Sequence, residues 1–193
     1  TLCGVEQKNV ISAPDVASIY EIPLTLEDQD MGNKVLKRVA MRSRTTDLRP
    51  WKQFVAKIKN GEREVKIAVV GKYFGTGEFT LADSYVSVIE ATKHAAWFHN
   101  AKPVLEWIDA EVYEKDGGKV KELKQYDGII VPGGFGSRGV EGIIKAIQFA
   151  REEKIPYLGL CYGMQLACIE FVRNVLKKPG ADSAADFNNR NIS

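Results

Sequence analysis

Residues 157–165 read Tyr-Leu-Gly-Leu-Cys-Tyr-Gly-Met-Gln, and the fold prediction starts from this stretch. A short apolar strand leads into the pattern Gly-x-Cys-x-Gly, and the residues that follow favour a helix. This order is the cysteine form of a nucleophile elbow, a sharp strand-to-helix turn that projects a reactive side chain from a sheet edge. Glycines two residues before and after Cys161 remove the Cβ atoms that would crowd such a turn.

The same turn predicts an activated thiol at Cys161. A cysteine at a helix N-terminus meets the positive end of the helix dipole and unpaired N–H groups, which stabilise a thiolate. The backbone N–H of Tyr162 then lies where the oxygen of a tetrahedral intermediate would gather charge. The other interpretation is a small buried cysteine that only fills space between strand and helix. Cys168, two turns further along an apolar helix, is predicted to lie in the core.

Strands and helices alternate on the amino-terminal side of the elbow. Apolar strands separated by helices are typical of an α/β fold with a mostly parallel sheet and helices on both faces. The last predicted helix is apolar on most sides, so we expect it to be well buried. Strands are predicted at 65–70, 104–108, 128–131 and 157–160, and helices at 83–98, 140–153 and 162–176.

A glycine-rich loop, Pro-Gly-Gly-Phe-Gly-Ser-Arg-Gly at 132–139, follows the third predicted strand. Ligands of parallel sheets bind at the carboxyl ends of the strands, so this loop should lie beside Cys161. Its glycines allow backbone N–H groups to approach a ligand, and one of them could be a second oxyanion donor. The alternative is a flexible surface loop. A phosphate-binding Walker loop is excluded because the Gly-Lys-Ser/Thr ending is missing, and residues 71–77 are predicted to form a plain turn.

Composition excludes several classes of function. The 193 residues are 45% hydrophobic and 27% charged, and a net charge of +2 gives no reason to expect nucleic acid as a partner. No apolar run is long enough for a transmembrane helix. Three cysteines without a Cys-x-x-Cys pair and two histidines do not favour a metal site. We expect a reducing, cytoplasmic location.

Three regions differ in character. Residues 1–46 are polar and irregular. Residues 47–64 read as a linker helix that Asp47 can cap, with Trp51 and Phe54 on one face. From residue 65 to residue 193 the α/β pattern continues.

The loop and the elbow together resemble the class I glutamine amidotransferases, which have a flavodoxin-like architecture. Two further strings narrow the resemblance to the CTP synthases: Gly-Phe-Gly-Ser-Arg-Gly-Val-Glu-Gly at 134–142 and Ile-Glu-Phe-Val-Arg-Asn-Val at 169–175. Residues 15–23, Asp-Val-Ala-Ser-Ile-Tyr-Glu-Ile-Pro, are similar to the end of that family's synthetase domain and the connector after it. The resemblance thus assigns 1–46 to that domain end and connector, and 65–193 to an amidotransferase domain that is incomplete at its C-terminus.

The resemblance implies a role for each site residue. Cys161 would attack the side-chain amide of L-glutamine, release ammonia and form a thioester that water hydrolyses. Gly134 and Tyr162 would hold the oxyanion, and Gln165 would contact the bound glutamine. Asp186 stands where the family usually has a glutamate that binds the substrate's α-amino group.

For the whole enzyme the resemblance implies further ligands and partners. Ammonia would pass to the synthetase domain of the same chain, which uses ATP and Mg²⁺ to aminate UTP to CTP. GTP would activate the glutaminase, with Arg138 near this effector. The family forms tetramers, so a homo-oligomer is expected. No cofactor is expected within residues 1–193 themselves.

One feature departs from the family pattern. The resemblance implies a His-x-Glu base far beyond the nucleophile, but the only histidines are His94 and His99, both expected at the surface. We interpret this as C-terminal incompleteness. Two alternatives remain: a catalytically silent module that acts in assembly or regulation, and a different cysteine-elbow hydrolase.

Overall fold

The chain divides into two compact units, Thr1–Asn60 and Gly61–Ser193. The computed structural model describes residues 4–42, 47–72, 85–134 and 138–182 of these units. The candidate site lies entirely in the second unit.

The first unit consists of short helices. The prediction that Asp47 caps the third helix is wrong by one residue, because Leu48 stands at the N-cap and no side chain caps the helix there. The Asp47 carboxylate instead accepts a hydrogen bond from the backbone N–H of Arg49, the first helical residue, at 3.0 Å. The indole of Trp51 in that helix donates to the carbonyl of Tyr20 at 2.8 Å. The elements are α1 Ile22–Glu27, α2 Met31–Arg38 and α3 Arg49–Lys59, with 3-10 turns at Gln7–Asn9 and Ile19–Glu21.

The described residues of the second unit form a four-stranded sheet in the order β2-β1-β3-β4, with every neighbouring pair parallel. All four predicted strands are confirmed. The first two are longer than predicted, because their polar ends also pair with one another along the full length. The strands are β1 Arg63–Gly71, β2 Ala101–Asp109, β3 Gly128–Val131 and β4 Tyr157–Gly159.

Helices connect these strands. The chain moves from β1 to β2 in one direction and from β3 to β4 in the other, so right-handed crossovers put their helices on opposite faces. The predicted fold class is therefore confirmed. The reversal makes the carboxyl ends of β1 and β3 the topological switch point, where such sheets bind ligands. The helices are α4 Val86–Phe98, α5 Glu111–Lys115, α6 Val140–Glu153 and α7 Tyr162–Glu170, with a 3-10 helix at Gly117–Gln125 and a π turn at Phe171–Val175.

The core lies between the sheet and α6. The apolar face predicted for this helix is confirmed, because Ile143, Ile144, Ile147 and Ala150 each expose no more than 4% of their surface. These side chains belong to one buried cluster that also includes Leu166 of α7. The elbow helix is thus packed into the same core as α6.

The helix predicted at 162–176 is present, as an α-helix that ends at Glu170 and a π turn that continues to Val175. Two other predictions about it are wrong. It is not buried on most sides, because Met164 is 56% exposed and Phe171 47% exposed. Cys168, predicted in the core, is exposed. The reason is that α7 packs against α6, β3 and β4 on one side, while β4 is the edge of the described sheet.

A buried carboxylate joins α6 to α7. Glu170 is 1% exposed and accepts from Arg151 at 2.8 and 3.0 Å and from Asn174 at 3.1 Å. Glu170→Gln should lower the free energy of unfolding by about 2 kcal/mol, because a charge-assisted bidentate pair becomes a neutral contact. This loss is smaller than the full free-energy cost of breaking a buried ion pair, because the Arg151 side chain is 36% exposed and water can solvate its charge.

Urea denaturation checks this expectation. Glu153→Gln is the matched control, since it also converts a carboxylate to an amide in an ion pair of α6, with Lys124 at 2.9 Å. That pair is largely exposed and should contribute less than about 0.5 kcal/mol. Equal effects of the two substitutions would show that burial of Glu170 does not strengthen its pair.

Candidate functional site

The sharp turn predicted at Cys161 is present. Cys161 precedes the first residue of α7 and has φ 52° and ψ −104°. A non-glycine residue in such a region costs on the order of 1–3 kcal/mol, and this kind of strain clusters at active sites. The side chain is exposed, so a substrate can reach the thiol.

The two glycines of the elbow are required by close packing. A Cβ atom added to Gly159 would lie 2.6 Å from the carbonyl carbon of Gly163. One added to Gly163 would lie 2.9 Å from the Cβ of Val131 and closer still to that residue's carbonyl oxygen. The hydroxyl of Tyr157 also donates to the carbonyl of Gly163 at 2.8 Å, and burial raises the pKa of this phenol, which keeps it a donor.

The glycine-rich loop meets the elbow, as predicted. A Cβ atom built on Gly133 would lie 3.6 Å from the Cβ of Cys161 and 4.0 Å from its sulfur. Next to it, a Cβ built on Gly134 would meet no atom within 4 Å, so space is open beside the predicted oxyanion donor. Residues 135–137 of the loop lie outside the described ranges.

Side chains from two other elements hold the loop. The hydroxyl of Tyr85, just before α4, donates to the carbonyl of Gly133 at 3.0 Å. Arg138, at the far end of the loop, donates to the carboxylate of Glu111 at 3.0 Å through Nη2 and also contacts it through Nε. Neither Tyr85 nor Glu111 was predicted, because they lie 48 and 27 residues from their partners.

A cavity of about 350 Å³ lies at the switch point between β1 and β3. Lys72 is only 5% exposed there, and its ammonium lies 4.7 Å from the ring centroid of Tyr162, a cation–π contact that holds the residue after the nucleophile. The prediction of a plain turn at 71–77 missed this lysine, although its place after a parallel strand was a usable signal. Residues 73–77 are outside the described ranges. The lining includes Gly71, Lys72, Tyr85, Gly134, Ile143 and Tyr162.

The other predicted site residues fall in different places. Tyr162 is 2% exposed and packs into the core. Gln165 is exposed one turn after Cys161, and its backbone N–H donates to the Cys161 carbonyl at 3.2 Å. Arg138 lies at the far end of the glycine-rich loop, with its side chain 56% exposed. Asp186 lies outside the described residues.

Both histidines are far from the elbow in the topology of the sheet. His94 lies in α4 and His99 directly follows it, just before β2 begins at Ala101. This end of α4 is therefore at the amino edge of the sheet, whereas Cys161 follows the carboxyl end of β4. Neither imidazole stands at the edge that carries the thiol.

Metal-binding clusters and membrane spans are both absent from the described residues. These residues contain no group of three or more His, Cys, Asp or Glu side chains that could hold a metal ion. None of the helices within the described ranges has the length and apolar character needed to cross a membrane.

Comparison with known proteins shows which family this chain is similar to. The family model "Glutamine amidotransferase class-I" matches residues 80–190. CTP synthases from Carboxydothermus hydrogenoformans and Caldanaerobacter subterraneus are 47% and 50% identical to the chain over 182 residues, or 94% of it, and each match covers 33% of the relative. The CTP synthase of Pyrococcus abyssi is 49% identical over 93% of the chain and 32% of the relative. The chain thus spans about a third of the length of these curated relatives.

A solved structure shows the same fold. The glutaminase domain of Trypanosoma brucei CTPS with bound acivicin matches with a TM-score of 0.58 and 38% sequence identity. The match covers 65% of this chain and 47% of that one.

Proposed function

Because the chain belongs to the class I glutamine amidotransferases, we propose that it hydrolyses the side-chain amide of glutamine with Cys161 as nucleophile. The observation that supports this most directly is the exposed, strained Cys161 at the start of α7, with the backbone of Gly133 beside its sulfur. An accessible thiol at a helix N-terminus and a glycine loop beside it provide the nucleophile and the oxyanion donors, two of the parts that acyl transfer from an amide requires.

The proposed reaction has two stages. The sulfur of Cys161 attacks the amide carbon of glutamine, and the oxygen gathers charge beside the N–H groups of Gly134 and Tyr162. The C–N bond then breaks, ammonia leaves with the thiol's proton, and a γ-glutamyl thioester remains. Water attacks the thioester, which releases glutamate and restores the thiol. Gln165 would contact the bound glutamine, and Asp186 would bind its α-amino group.

The proton acceptor in this proposal is not one of the chain's histidines, since both lie at the amino edge of the sheet. We place the base outside these 193 residues, in the part of a longer enzyme that the chain does not represent. General-base help of this kind is typically worth about 10²–10⁴-fold in rate.

The wider proposal is that the chain is the glutaminase part of a CTP synthase. Its ammonia would serve a synthetase domain that uses ATP and Mg²⁺ to aminate UTP, within a homo-oligomer. GTP would activate hydrolysis near Arg138. This assignment rests on the similarity to CTP synthases over nearly the whole chain.

Covalent labelling tests the glutamine site. A chloromethyl ketone analogue of glutamine should attach to Cys161, because the thiolate displaces chloride once the analogue is bound. Peptide mass spectrometry should find one adduct, at Cys161, which excess glutamine prevents. Cys168 is the internal control, since it is also exposed but lies two turns along α7 from the turn.

The pattern of labelling separates the alternatives. Equal labelling of Cys161 and Cys168, without protection by glutamine, would contradict a formed glutamine pocket and support a silent module. Labelling of Cys161 by ester or peptide electrophiles in preference to the glutamine analogue would support a different cysteine hydrolase.

A further inference from the structure

We propose that Tyr85 is a positioning residue for the oxyanion hole: its hydroxyl orients the peptide group that joins Gly133 to Gly134. The inference rests on the proposed function, because it assigns Tyr85 a role in glutamine hydrolysis through the peptide group that its hydroxyl orients. The contact that carries it is the hydrogen bond from the Tyr85 hydroxyl to the Gly133 carbonyl at 3.0 Å.

The geometry of the peptide unit explains how this hydrogen bond can orient an oxyanion donor. The carbonyl of Gly133 and the N–H of Gly134 belong to one planar peptide unit, and in a trans peptide they point in opposite directions. A donor that fixes the carbonyl therefore fixes the direction of the N–H. Such control matters here because a glycine pair has no Cβ atoms to restrict rotation of the peptide, so the side-chain contact supplies the restriction.

The same bond also strengthens the N–H as a donor. A peptide whose carbonyl accepts a hydrogen bond is polarised, and its N–H becomes a better donor to a developing oxyanion. Tyr85 remains protonated for this task, since burial raises the pKa of its phenol.

Tyr85 is itself held in place. Its ring lies 5.8 Å, centroid to centroid, from that of Trp107 on β2, and it lines the switch-point cavity beside Gly134. The hydroxyl thus reaches the loop from a ring packed against the sheet. The loop's other end is tied by Arg138 and Glu111, so both ends of the glycine-rich stretch have an anchor.

Tyr85→Phe removes only the hydroxyl, and two reagents separate its effects. Glutamate γ-semialdehyde, the aldehyde analogue of glutamine, adds to a thiol: a C–S bond forms, the carbonyl π bond opens, and the proton ends on the oxygen that occupies the hole. Iodoacetamide alkylates the thiolate by displacing iodide and needs no oxyanion hole. We expect Tyr85→Phe to weaken binding of the aldehyde about tenfold, the value of one net hydrogen bond, and to leave alkylation of Cys161 unchanged.

Tyr126→Phe is the matched control. It also deletes a phenol that donates to one partner, Glu106 at 2.6 Å, but it stands just before β3 at the amino edge of the sheet. It should affect stability in the same way and leave aldehyde affinity at the wild-type value. Urea denaturation of all three proteins shows that each is folded.

The outcomes are distinct. If wild-type protein forms no aldehyde adduct, the proposed function is wrong, and this inference, which depends on it, is wrong as well. If wild-type protein binds the aldehyde and Tyr85→Phe binds it equally well, only the role of Tyr85 is overturned. If both tyrosine variants lose affinity, or if Tyr85→Phe slows iodoacetamide as much as it weakens the aldehyde, the effect is a general structural one and the positioning role is also overturned.

Discussion

Replacing Cys161 by alanine should reduce glutamine hydrolysis by about 10⁴-fold or more, to the background rate, in any active form of the protein. The substitution removes the sulfur that forms the thioester, so the amide could be hydrolysed only by direct attack of water, which is a much weaker nucleophile than a thiolate. The fold should survive, because the side chain is exposed and contributes little to the core. Ammonia release measures the activity, and circular dichroism checks the fold.

Replacing Cys161 by glycine should abolish activity, as alanine does, but should give a more stable protein than alanine. The φ of 52° at Cys161 is a strained value that alanine retains and glycine relieves. Relief of on the order of 1–3 kcal/mol is partly offset by the greater entropy of glycine in the unfolded chain, about 0.4–1 kcal/mol. Cys161→Gly should therefore be inactive but more stable than Cys161→Ala by about 1 kcal/mol in urea denaturation.

Two results would contradict these expectations for the elbow. Retained ammonia release by Cys161→Ala would mean that another residue is the nucleophile. Equal stability of the alanine and glycine variants would mean that the turn stores no strain at Cys161.

The second large effect is expected from Gly163→Ala. The added methyl group would meet the carbonyl oxygen and the side chain of Val131, and backbone at the end of a central strand cannot move aside cheaply. Overpacking of this kind typically costs about 1–3 kcal/mol, and contact with backbone should bring the loss of unfolding free energy to at least about 3 kcal/mol. Cys161 should then also lose its selective reaction with the glutamine analogue, because the elbow can no longer lie against β3.

Gly180→Ala serves as the control for this substitution. A Cβ atom at Gly180 would meet no atom within 4 Å, so the same chemical change should shift stability by less than about 0.5 kcal/mol. Thermal and urea denaturation of both variants measure the difference. A Gly163→Ala protein as stable as wild type would show that a methyl group fits between the elbow and β3.

Much of this site could be predicted because its signals are local. The glycines at 159 and 163 flank Cys161 within five residues, and the requirement for them follows from a turn too sharp to admit Cβ atoms. Because parallel sheets bind ligands at the carboxyl ends of their strands, we could also predict that the loop after β3 lies beside this turn. The proximity of Gly133 to the Cys161 sulfur confirms that step.

What could not be predicted depends on contacts between distant parts of the chain. Tyr85 and Glu111 have ordinary local surroundings in the sequence, and only the folded sheet brings them to Gly133 and Arg138. The exposure of Cys168 had a different cause. An apolar helix indicates that its surface favours burial, but the neighbours that would bury each side are set by the order of the strands.

The central place of β1 between β2 and β3 has a consequence for biosynthesis. β1 is the first strand of the sheet to be translated, but the second of its two neighbours is complete only at Val131, 131 − 71 = 60 residues after β1 ends at Gly71. At a typical rate of about 5–20 residues per second this takes on the order of 3–12 s. During that interval the apolar residues 67–70 belong to a strand with an unpaired side, and an unpaired edge of this kind is prone to pair with other chains.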